Sequence, residues 1–103
     1  MSEMHAAHEE PEVTVVRCYG ELSLPEMARI SATAARARAA GRAAVVDLAR
    51  VSHLHYGGAR LLGEVPGIRI AGASRYLRTL LFAGGAFGRV ELHACVSEAV
   101  RAG

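Results

Sequence analysis

The sequence contains no lysine and no tryptophan, has only two cysteines, and carries no apolar run of membrane-spanning length. Its longest apolar stretches, such as Leu80 to Ala83 and Ala43 to Val46, fall far short of the roughly 20 residues that cross a bilayer. The start lacks a basic segment followed by an apolar one, so no export signal is expected and a cytoplasmic location is. In an unexported chain Cys18 and Cys95 are expected as free thiols, not as a disulfide or metal ligands.

Other absences exclude function classes. The glycine pairs Gly57-Gly58 and Gly84-Gly85 lack the Gly-Lys-Ser/Thr ending of a phosphate-binding loop, and neither follows a strand as a dinucleotide fingerprint, so turn formation accounts for them. His53 and His55 alternate, and His5, His8 and His93 add imidazoles, but no third ligand stands at a recognisable metal-binding spacing. Neither metal nor cofactor is expected. Both cysteines fall in predicted strands, where a thiol is ordinarily inert core, and no orienting partner can be named for a nucleophile. The reading is therefore non-enzymatic.

All 12 cationic side chains are arginine. They are dispersed from Arg17 to Arg101 instead of clustered and form no basic patch interleaved with aromatic residues that would stack bases, which argues against nucleic acid and for an acidic protein surface as partner. Glu3, Glu9, Glu10 and Glu12 precede the first arginine, so the leader is acidic and the remainder basic.

What is present suits one compact domain: 103 residues, 51% of them hydrophobic, enough for a single core without metals or disulfides. Residues 1 to 12 lack clear periodicity and are read as a mobile leader or weak edge strand, and residues 13 to 103 as the domain. Val13 to Tyr19 is rich in β-branched residues and reads as a strand ended by Gly20. Pro25 suits a helical first turn, and Met27, Ile30, Ala34 and Ala37 form an apolar stripe over a helix from Pro25 to Ala40. Ala43 to Leu48 reads as a buried strand and Ala49 to Tyr56 as a loop. Gly57-Gly58 opens a short helix carrying Leu61 and Leu62, broken by Pro66-Gly67. Ile68 to Ala71 is a third strand, Ser74 caps a helix with Leu77, Leu80 and Leu81 inward, Val90 to Cys95 is a fourth strand, and Ser97-Glu98 starts a terminal helix. Strands alternating with helices predict an α/β fold with crossover connections, its helices covering mostly one face of the sheet.

The strand ending Val45-Val46-Asp47-Leu48, then Val51-Ser52-His53-Leu54 and a Gly-opened helix, resembles the STAS domain of anti-sigma-factor antagonists. The Gly20-Glu21-Leu22 turn, the strand Gly67 to Gly72 before the Ser74 helix, and the closing Ser97-Glu98-Ala99-Val100 extend the likeness over residues 13 to 102. The resemblance implies a mixed, mainly parallel sheet of four or five strands, an extra first strand near Met4 to His8, and a protein partner. In that family the loop before the second helix usually reads Asp-Ser-Ser-Gly, and its second serine receives phosphate from a kinase that doubles as an anti-sigma factor. Here the corresponding residues are His55, Tyr56, Gly57 and Gly58. Gly57 has no hydroxyl, so the usual switch is absent, and Tyr56 and Ser52 are the hydroxyls left nearby.

The residues of this segment support two readings. In one, His55, Tyr56, Gly57, Gly58, Arg60 and Leu61 contact a partner, an anti-sigma factor or kinase-like protein. In the other, the loop drifted after regulation was lost. A scaffold or accessory subunit of a larger assembly, including a homo-oligomer with other STAS proteins, and a small-molecule-sensing domain are the alternative functions.

Overall fold

The computed structural model describes residues 6–10, 12–86 and 88–102. Its elements follow in the order β1 (Ala6–Glu10), β2 (Val13–Leu22), α1 (Leu24–Ala39), β3 (Ala43–Leu54), a 3-10 turn (Tyr56–Gly58) running into α2 (Ala59–Gly63), β4 (Arg69–Ala71), α3 (Arg75–Ala83), β5 (Glu91–His93) and α4 (Val96–Arg101). The strands form one sheet in sequence order, β1 antiparallel to β2 and every other neighbouring pair parallel. This is the mixed, mainly parallel α/β architecture expected from the sequence. Of residues 1 to 12, Ala6–Glu10 forms the edge strand β1; Met1 to His5 and Pro11 lie outside the described residues.

Local chemistry fixes the start of α1. The Ser23 hydroxyl accepts the Glu26 backbone N–H at 3.3 Å, and the Glu26 carboxylate accepts the Ser23 N–H at 2.9 Å. Such a reciprocal cap is worth about 1 kcal/mol. Pro25 lies in the first turn, where its missing donor costs nothing.

The sheet divides two cores. Met27, Ile30, Ala34 and Ala37 of α1, Ala59 and Leu62 of α2, and Leu77 and Leu81 of α3 all bury against the same side of the sheet. On the other side lies a smaller cluster of Val13, Val15, Val45 and Ala71 with Ala99 of α4. Three helices therefore cover one face and α4 alone covers part of the other. Each fully buried Leu or Ile contributes about 1.5–3 kcal/mol, so the larger cluster dominates stability.

β3 differs from expectation. Residues 49 to 54, read as loop, continue the strand, and Gly20 to Leu22, read as a turn, are its partners on β2. The reason is two irregularities in the β2–β3 ladder: Arg17 pairs with Asp47 but Tyr19 with Arg50, and Gly20 pairs with Val51 but Glu21 with His53. Each inserts one extra residue into β3 and flips its alternation. The buried positions consequently run Ala44, Val46, Leu48, Val51, Leu54. Steps of two become steps of three, which hides a strand from any period-two pattern.

The final strand is also shorter than Val90 to Cys95. Cys95 is exposed and precedes α4 as its N-cap residue, so it is not the inert core thiol expected of a strand position.

Candidate functional site

The segment after β3 is built from its backbone outward. Leu54 is buried, and the His55 N–H donates to the Leu22 carbonyl at 3.0 Å, which ties the strand end to β2. His55 keeps an extended backbone, and its Nδ1 accepts the Gly57 N–H at 3.1 Å while the Gly58 N–H donates to the His55 carbonyl at 2.8 Å. His55 thereby acts as the cap that Asp, Asn, Ser or Thr usually supplies. Its ring is nearly parallel to that of Tyr56, at 6° with centroids 6.3 Å apart.

Two glycines let this turn sit close to the helices beside it. A Cβ on Gly58 would lie 2.8 Å from the Met27 Sδ and 3.2 Å from Leu24, so α1 approaches the turn at contact distance. A Cβ on Gly84, at the end of α3, would overlap the Tyr56 carbonyl oxygen. The turn is clamped between α1 and α3, and its side chains project outward.

The sequence-selected residues divide accordingly. His55, Tyr56, Gly57 and Arg60 are exposed, Leu61 is half-buried, and Gly58 is buried. Among the described residues Tyr56 is the most exposed large hydrophobic side chain, at 59%. Arg60 lies 3.7 Å from Glu64 one helical turn on, an exposed pair of little energetic weight. Ser52 is exposed on β3. His53 Nδ1 and the Tyr76 hydroxyl are hydrogen-bonded at 2.7 Å, joining β3 to the start of α3.

Among the described residues four further large apolar side chains are exposed that no sequence pattern singled out: Leu24, Tyr76, Phe82 and Leu92. Leu24 reaches Gly58, and Phe82 lies two residues before Gly84. The available signal was position: Tyr76 and Phe82 fall outside the Leu77-Leu80-Leu81 stripe that packs α3.

The cysteines are free and dissimilar. Cys18 is buried in the larger core, where burial, and then the carboxylates of Asp47 and Glu26, push its thiol up from 9.0 to about 12. At Cys95 the Ser97 hydroxyl and the Glu98 backbone N–H hold the thiol below its ordinary range. Among the described residues no three His, Cys, Asp or Glu side chains converge as a metal site would need, and no helix is long and apolar enough to cross a membrane. A shallow cleft of about 250 Å³ lies beside the turn, lined by Glu21, Leu22, Ser23, His53 and His55.

Among solved structures, the unphosphorylated anti-sigma factor antagonist SpoIIAA superposes with a TM-score of 0.63 at 19% identity, covering 93% of each chain. The fold is STAS-like. Phosphorylated SpoIIAA, the Bacillus cell fate determinant, gives 0.59 at 21% identity over 93% of this chain and 96% of its own. A protein of the DUF3478 family with a SpoIIAA-like fold, from Shewanella loihica PV-4, gives 0.53 at 13% identity over 96% of this chain and 93% of its own. No protein-family model and no curated protein matches the chain in sequence. The STAS-like likeness is thus one of architecture, carried by the order of strands and helices.

Proposed function

We propose that this STAS-like chain is a non-enzymatic, cytoplasmic protein-binding module that regulates transcription or signalling in the manner of an anti-sigma-factor antagonist. It docks through the turn after β3, without phosphoryl control at the position usual for that family. The observation that carries this reading is Tyr56. A large aromatic side chain stands 59% exposed on a turn clamped by α1 and α3, so it is held out to solvent on a rigid support. An aromatic with a polar tip, pre-ordered in this way, loses little entropy on binding.

Arg60, Leu61 and the exposed Leu24 and Phe82 extend the surface around Tyr56. The partner is a protein whose face presents an apolar pocket for Tyr56 and acidic groups for the arginines of α2 and α3, since Arg75 and Arg78 are both exposed there. Gly57, on the position of the phosphorylated serine, offers the partner backbone in place of a hydroxyl.

The test is affinity capture from the native cell with the wild-type chain, Tyr56→Ala and Arg101→Ala, the last on the exposed side of α4. A protein retained by wild type and Arg101→Ala but lost with Tyr56→Ala supports docking through the turn. Equal retention by all three contradicts it.

A further inference from the structure

The α4 side of the sheet is covered over only part of its length. α4 packs on Val13, Val15, Val45 and Ala71, and beyond its first residues the sheet opens into a cleft of about 530 Å³. Arg17, Cys18, Tyr19, Asp47 and Arg50 of the sheet line it, together with Cys95 before α4. Alternation places Arg17 in the row of Val13 and Val15, and Asp47 in the row of Val45, so polar groups replace valines where α4 stops covering the sheet. The ladder is irregular at this point, with Arg17 paired to Asp47 and Tyr19 to Arg50. Bulges of this kind re-aim side chains and are common beside binding sites.

Among the described residues the two arginine charges here are unpaired. Asp47 accepts the Ala49 N–H at 3.0 Å, and neither the Arg17 nor the Arg50 guanidinium has a hydrogen-bond or ion-pair partner among the described residues. Two guanidinium groups and one carboxylate leave the cleft with an excess of positive charge. Its volume falls within the range of small-molecule sites, about 300–1,000 Å³.

We infer that this cleft binds a small organic anion whose phosphate or carboxylate oxygens are taken by Arg17 and Arg50, with Asp47 accepting from a donor group on the same molecule. Guanidinium forks suit either oxyanion. The site lies across the sheet from the α1–α3 layer and is independent of the docking turn.

Cys95 supplies a built-in reporter, because of the two thiols that line the cleft it is exposed whereas Cys18 is buried. The experiment titrates pyrophosphate and, separately, citrate into the full chain, reading heat of binding and the rate of Cys95 alkylation by iodoacetamide. One of the two probes is expected to bind saturably and to slow Cys95 alkylation, and which one does so separates a phosphate from a carboxylate source. Arg17→Gln and Arg50→Gln are each expected to weaken binding at least about tenfold, and Arg29→Gln, exposed on α1, to leave it unchanged. Absence of saturable binding by both probes overturns the inference, as does equal weakening by Arg29→Gln. Should either cleft variant fail to fold, protection of Cys95 in the wild-type chain still decides the matter.

Discussion

The Nδ1 of His55 accepts the backbone N–H of Gly57 at 3.1 Å, so the side chain that opens the turn also closes its first hydrogen-bonded ring. A Cβ on Gly57 would lie 2.8 Å from the His55 Cε1. The capping histidine and the missing side chain at position 57 are therefore one arrangement.

Gly57→Ser should displace the imidazole and remove the cap, lowering stability by about 1 kcal/mol. Adding His55→Asp to that variant should recover most of the loss, because the shorter carboxylate caps without crowding position 57. Urea denaturation of wild type, both single variants and the double variant measures the coupling; additive effects would show that the two positions act separately.

Gly84→Ala should be more damaging. Its methyl would meet the Tyr56 carbonyl oxygen and the Ala59 Cβ, which are backbone or backbone-anchored and cannot swing away. A loss of at least about 2 kcal/mol is expected, seen as a drop in Tm of roughly 8 °C or more. An unchanged Tm would mean that α3 does not clamp the turn.

The buried thiol of Cys18 gives stability a pH dependence in alkali. Its pKa rises from 9.0 to about 12 on folding, so above pH 9 the unfolded chain releases a proton that the folded chain retains. The contribution is complete below pH 9 and is lost as pH rises through the window to 12, at up to about 1.4 kcal/mol per pH unit. Cys18→Ala should be less stable at neutral pH and show a shallower decline between pH 9 and 10.5 by urea denaturation. Parallel declines for the two proteins would contradict the assignment.

Incubation with ATP and native-cell extract should leave residues 52 to 58 free of phosphate in peptide mass spectra, since Gly57 provides no acceptor. Stoichiometric phosphate on Ser52 or Tyr56 would show that control has moved within the segment instead of being lost.

Much of this fold was legible in the sequence because its helices are signalled locally. Ser23-Leu24-Pro25-Glu26 writes a capping box, Ser74 caps α3, and Gly57-Gly58 marks the entry to α2. The second half of β3 was not legible, because its two bulges rephase Leu48, Val51 and Leu54 onto one face, and their placement depends on pairing with β2 thirty residues earlier. Cys95 misled for a similar reason: its hydrophobic neighbours suggested a strand, but β5 ends where its parallel pairing with β4 ends, at His93. At the candidate site the sequence located the turn and could not divide its residues. Burial of Gly58 against Met27, and exposure of Leu24 and Phe82 on either side, follow from how α1 and α3 meet, which no local pattern encodes.

Docking through the turn is tested most directly by the dissociation constant of the captured partner for wild type and for Tyr56→Ala. The 59% exposure of Tyr56 predicts that its removal changes folding stability little, within about 0.5 kcal/mol. Docking through the turn predicts that the same substitution weakens binding at least about tenfold, or 1.4 kcal/mol. A dissociation constant unchanged within twofold would contradict it.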